Sequence, residues 1–133
     1  MKKIIVLLSL GLCLLGCKKA ISKDPGRVKI TLEGNPTTGY GWSYELSVAD
    51  IIELVSEDYV SDATDDDEIV GIGGNYYFVF VAKKAGDVQI VFSYKRPWEQ
   101  EEPLESLVVN IKVKKDLSIE IDNKTNKNVE ILP

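Results

Sequence analysis

The sequence predicts an all-β domain, a sandwich of two antiparallel sheets, and three observations carry that expectation. Several short runs alternate apolar and polar residues with the period of strands whose two faces see core and solvent. Clusters rich in Gly, Pro, Asn and Asp punctuate them at the spacing of turns and sheet-to-sheet connections. Trp42 opens one of the runs, and a core tryptophan on a central strand recurs in such sandwiches.

Taken in order, residues 1–16 read as a targeting segment. Lys2 and Lys3 give a positive start, and residues 4–15 form an apolar run too short to span a bilayer comfortably. The run ends Leu14-Leu15-Gly16-Cys17, which resembles the lipobox of bacterial lipoproteins: an aliphatic residue, a tolerant position, a small residue, then cysteine. That resemblance implies cleavage before Cys17, lipidation of Cys17, and a chain anchored to a membrane outside the cytoplasm, with more than one acyl chain for a stable anchor. A plain secretory signal or an uncleaved anchor is the alternative. Residues 17–27 are polar, contain Pro25-Gly26 and lack any period, so they read as a tether.

The domain is expected over residues 28–115. Val28, Ile30 and Leu32 alternate with Lys29, Thr31 and Glu33, and Trp42, Tyr44 and Leu46 with Ser43, Glu45 and Ser47. Residues 51–61 supply another strand, after a turn at Ala49-Asp50, and residues 76–81 the next. Val88, Ile90 and Phe92 alternate with Gln89, Val91 and Ser93 beyond the Lys83–Asp87 turn, and residues 107–113 follow. In residues 116–133, Leu117, Ile119 and Ile121, then Val129 and Ile131, repeat the period and predict an extra strand pair, or an addition to one sheet edge. The Asn123-Lys124-Thr125 sequon has little meaning in a bacterial lipoprotein.

Composition narrows the function classes. The 133 residues, 44% of them hydrophobic, suit one domain. A net charge of −5 argues against a nucleic-acid partner, which calls for a basic face. The chain has no histidine, which removes the commonest general base and the commonest metal ligand. Its two cysteines, Cys13 and Cys17, both lie near the start, so the domain holds together without an internal disulfide. The acidic run Asp62, Asp65, Asp66, Asp67 and Glu68 lacks the spacing and the glycine of a calcium loop. Gly71-Ile72-Gly73-Gly74 precedes a strand and no lysine follows at the required spacing, so it is not a phosphate loop. No metal or cofactor is expected.

Three stretches at strand ends remain: Asn35-Pro36-Thr37-Thr38-Gly39-Tyr40, Gly71-Ile72-Gly73-Gly74 and Arg96-Pro97-Trp98. In the first, proline starts a turn, Gly39 and Gly41 can adopt positive φ, and the stiff Thr37 and Thr38 stand out between them. In the last, a tryptophan beside an arginine has the composition of a binding anchor. Together they resemble the motifs N-P-T-T-G-[YF], G-x-G-G and R-P-W of the chagasin family of cysteine-protease inhibitors, in that order. The resemblance covers about residues 28–114 and implies an immunoglobulin-like β-sandwich acting as a monomer. It further implies that the three loops wedge into the cleft of papain-like cysteine proteases. Residues 37–39 would sit over the catalytic centre, residues 71–74 would line one side, and Arg96 with Trp98 would press on the other. The family usually has a strand before residue 28, for which residues 18–26 are a poor candidate. Two other classes stand beside this reading: an adhesive or ligand-binding surface lipoprotein on the same sandwich, and an enzyme working through paired carboxylates.

Overall fold

The computed structural model describes residues 24–64, 71–122 and 127–133. The signal segment 1–16, Cys17, the acidic residues 65–68 and the sequon at 123–125 lie outside the described residues. Eight strands run in chain order: β1 Arg27–Gly34, β2 Gly41–Leu46, β3 Ile52–Ser61, β4 Gly74–Ala82, β5 Gly86–Lys95, β6 Glu105–Val113, β7 Ile119–Ile121 and β8 Val129–Leu132. They form two four-stranded sheets, in the orders β3-β4-β1-β8 and β2-β5-β6-β7, and every pairing is antiparallel. The fold is the expected immunoglobulin-like sandwich.

The period-two pattern accounts for the core. Val28, Ile30 and Leu32 face inward from β1, Phe78 and Phe80 from β4, Val88, Ile90 and Phe92 from β5, and Val109, Ile111 and Val113 from β6. Among the described residues the buried set contains no polar or charged side chain. Apolar burial on this pattern is therefore the main force holding the sheets together. Trp42 is 8% exposed, and its indole N–H donates to the Glu33 carbonyl at 2.9 Å, linking β2 of one sheet to β1 of the other. This is the core role expected from sequence. A bulge between Leu54 and Ser56 shifts the register of β3 and leaves Val55 exposed on that edge.

The tail forms strands but departs from the expected pair. β7 joins β6 in one sheet, with Val113 opposite Ile119, while β8 joins β1 in the other, with Ile30 opposite Val129. Each extends a different sheet, so the tail crosses from one layer to the other. The physical reason is that without the tail β1 and β6 would each be the last strand of its sheet, and each would offer its own row of open backbone groups.

Candidate functional site

Antiparallel pairing sets the site. Gly34 lies opposite Gly74, Ser61 also opposite Gly74, Gly41 opposite Lys95, and Tyr94 opposite Glu105. The connections 35–40, 62–73 and 96–104 therefore leave the sandwich at one end. Arg27, opposite Val81, lies towards the other end.

The central connection is a single 3-10 turn, Pro36–Thr38, capped on both sides. The Asn35 side-chain oxygen accepts from the Thr37 N–H at 3.1 Å and from the Thr37 hydroxyl at 2.6 Å. The Thr38 hydroxyl donates to the Asn35 carbonyl at 2.7 Å, and the Gly39 N–H donates to the Pro36 carbonyl at 3.0 Å. Pro36, Thr37 and Thr38 are exposed, as the sequence suggests, yet both hydroxyls turn back to Asn35. Gly39 closes the turn with φ of 83°, the left-handed geometry that glycine adopts without penalty. Gly41 instead begins β2 with no positive φ.

The flanking connections hold this turn from both sides. The Asn35 side-chain amide donates to the Gly71 carbonyl at 2.7 Å. On the other side, Arg96 Nε donates to the Thr38 carbonyl at 3.1 Å. The Arg96 guanidinium lies 4.5 Å from the centre of the Tyr40 ring and pairs with Glu99 at 3.2 Å. The Tyr40 ring lies tilted against Tyr94 at 5.4 Å and Tyr94 against Trp42 at 5.0 Å, so a column of rings joins the exposed turn to the core. The Tyr94 hydroxyl also accepts from the Asn35 N–H at 3.0 Å. Below it, burial pushes the Tyr76 hydroxyl pKa up, with smaller contributions from Tyr94, Tyr59 and Glu57.

The structure thus brings the three predicted stretches together, with distinct parts. Trp98 is 68% exposed and Pro97 is exposed beside it. The Trp98 ring lies against Gly39, where an added Cβ would meet its Cη2 at 2.6 Å. Arg96, expected from sequence to press outward, is half-buried and turns Nε and Nη1 to partners within the molecule. Gly71 is exposed, and Ile72 and Gly73 are half-buried. Gly74, expected to line the surface, is buried in β4, where a side chain would collide with the Val60 carbonyl and the Tyr59 hydroxyl. It lets β3 and β4 close tightly beneath the loop and presents no face of its own. Sequence reasoning missed Tyr94 and Glu99. The signal for Tyr94 was present, since it continues the inward series Val88, Ile90, Phe92 at the end of β5. Among the described residues no group of His, Cys, Asp or Glu is placed to hold a metal ion.

Comparison with known proteins agrees with this geometry. The model of the chagasin family peptidase inhibitor I42 matches residues 25–113. Amoebiasin-1 of Entamoeba histolytica is 34% identical over 72 residues, covering 53% of this chain and 65% of that protein. Chagasin of Trypanosoma cruzi is 33% identical over 75 residues, covering 53% of this chain and 66% of that one. The matched stretch therefore spans just under two thirds of the length of these relatives. The crystal structure of a cysteine protease inhibitor from Entamoeba histolytica superposes with a TM-score of 0.57 at 29% identity, covering 65% of this chain and 78% of that one. The family match takes in all three motif loops and both sheets up to β6, and leaves only the tail strands β7 and β8 outside. With its motifs gathered at one end of the sandwich and most of its length matched, this chain belongs to the chagasin family of peptidase inhibitors, I42.

Proposed function

We propose that this chain is a reversible inhibitor of papain-like cysteine proteases that works by filling the active-site cleft. The observation that carries the reading is the braced central turn. Three of its carbonyls, those of Asn35, Pro36 and Thr38, already accept hydrogen bonds inside the molecule. A substrate must offer an extended backbone with a carbonyl open to the attacking thiolate. A 3-10 turn is not extended, and the carbonyls on both sides of Thr37 are engaged, so the loop can occupy the cleft without being cut. The bracing also means that little conformational entropy is lost on binding. Trp98, largely exposed beside this turn, supplies the apolar anchor. Nothing in the reading asks the chain for histidine or cysteine chemistry: it has no histidine, and its two cysteines precede the domain.

The test is inhibition of a panel of papain-like enzymes by the purified chain. Inhibition should be reversible and the inhibitor should be recovered intact. Binding should disappear once the enzyme thiol carries a bulky alkyl group, and serine proteases should keep full activity. A panel left fully active at micromolar inhibitor would refute the reading.

The lipobox-like string supports a second part of the proposal, an acyl anchor at Cys17 on the outer side of a membrane. The tether reaches the sandwich at Arg27, towards the end opposite the three loops, so an anchored molecule would point its loops away from the bilayer. Residues 18–26 allow a reach of at most about 30 Å. Labelled fatty acid should enter the wild type and not Cys17→Ala. Equal labelling of the two proteins would overturn the anchor.

A further inference from the structure

Beyond the three motifs, the third connection carries a second exposed feature at the same end of the molecule. Leu104 is 63% exposed, close to the 68% of Trp98, on the same connection. Its position is fixed: the Leu104 N–H donates to the Tyr94 carbonyl at 2.9 Å, and Pro103 before it has a restricted φ. A large aliphatic side chain held outward by a pinned backbone differs from one on a loose loop, because its presentation costs little entropy on binding. Before Pro103 stand Glu101 and Glu102, both exposed. Glu99 is already paired with Arg96, whereas among the described residues Glu101 and Glu102 have no ion-pair partner. The central turn, by contrast, carries no charge from Asn35 to Ser43. The binding end therefore has a neutral tip and, on the Trp98 side, a negative and partly apolar shoulder.

We propose that Glu101, Glu102 and Leu104 form a specificity arm that favours papain-like enzymes whose cleft rim carries lysine or arginine around an apolar patch on the side that receives Trp98. This rests on the inhibitor reading and names which targets it suits best. Carboxylates at the rim of an interface act mainly on association, by steering the partner and by opposing like-charged surfaces. Exposed charges are screened within about 8 Å at physiological salt, so the steering fades as salt rises. Leu104 acts differently, through apolar area removed from water, and its contribution is insensitive to salt.

The experiment measures association rates and inhibition constants of the full chain, Glu101→Gln/Glu102→Gln and Leu104→Ser on papain-like enzymes graded by the charge of their cleft rims, at low and high salt. For basic-rimmed enzymes the double variant should associate about tenfold more slowly at low salt, and the difference should vanish at high salt. For acidic-rimmed enzymes the same variant should associate as fast as the wild type or faster. Leu104→Ser should weaken inhibition of basic-rimmed enzymes about tenfold at either salt. Matching thermal unfolding of the three proteins excludes a folding defect, as expected for exposed positions. If the wild type inhibits several enzymes but all three proteins give the same constants on each, this inference is overturned and the inhibitor reading stands. If the wild type inhibits none, both fall together.

Discussion

Removing the Arg96 guanidinium would release three groups at once: the Thr38 carbonyl, the Tyr40 ring and the Glu99 carboxylate. A charge-assisted hydrogen bond and a surface cation–π contact together amount to about 2 kcal/mol. Arg96→Ala should therefore weaken inhibition roughly 30-fold by loosening the central turn. Arg96→Lys should recover little, since an ammonium cannot reach the carbonyl and lie flat on the ring together. Faster amide exchange at Gly39 in both variants would show that the effect runs through the turn, and unchanged exchange would refute it. Gly39 and Trp98 give a sharper test. An alanine at Gly39 meets the left-handed backbone penalty of about 1–2 kcal/mol and also collides with the Trp98 ring. Trp98→Ala should cost about 2 kcal/mol or more of binding, again roughly 30-fold. In a double-mutant cycle the double variant should lose less than the sum of the two single losses, because the collision disappears with the ring. Strict additivity in the inhibition constants would mean the ring does not rest on Gly39 in solution. The motif residues and the glycine at the left-handed position were legible in the sequence, because residue type alone limits the geometry. The inward turn of Arg96 was not, since nothing in either stretch tells which carbonyl its side chain will find.

At the scale of elements, the period of two told which side chains face inward but not which strand lies beside which. The tail shows the difference. Ile119 and Ile121 did mark a strand, though Leu117 before them sits in a bend with φ of 64°, and Val129 and Ile131 marked another, yet their neighbours are β6 and β1 rather than each other. Alternation is a property of one strand, whereas pairing depends on which edges the finished sheets leave open. β7 places Ile119 in the core at 8% exposure, and β8 packs Val129 against it from the other sheet's edge. The Gly26 N–H also donates to the Leu117 carbonyl at 2.8 Å, tying the start of the domain to the tail. Ile119→Ala should cost about 2–5 kcal/mol of stability, as for other buried isoleucines. Inhibition by the molecules that remain folded should be unchanged, because β7 pairs with β6 at Ile111–Val113, away from the Glu105 end where the loops gather. Denaturant unfolding with parallel inhibition assays checks both halves. A loss below about 0.5 kcal/mol, the size of an ordinary surface effect, would place the tail outside the cooperative core.

At the scale of the whole molecule, the fold perturbs two phenols that ionise on the alkaline side. With no histidine in the sequence, the side-chain type that usually titrates near neutrality is missing. Two tyrosines have pKa values pushed above the ordinary phenol value. For Tyr44 the larger cause is burial and the smaller is the Glu57 carboxylate. For Tyr76 burial again leads, followed by Tyr94, Tyr59 and Glu57. Both side chains pack against the core between the two sheets, Tyr44 with its ring 5.2 Å from Phe80 and Tyr76 4.9 Å from Tyr59. A group whose folded pKa lies above its unfolded value favours the folded state while it is neutral. That contribution is complete below the unfolded value of about 10 and is lost as pH climbs through the folded values. These two phenols should therefore leave stability level up to about pH 10 and lower it above. Tyr44→Phe and Tyr76→Phe should each flatten the alkaline fall, since a ring without a hydroxyl has no charge to desolvate. Glu57→Gln should make the fall slightly shallower, because the neighbouring negative charge that opposes ionisation is gone and each phenol ionises with a smaller difference between folded and unfolded states. Unfolding temperatures measured from pH 7 to 11 on the four proteins give the comparison. Four parallel curves through that range would mean that neither tyrosine is the titrating group, and the alkaline limit of the sandwich would have to be sought elsewhere.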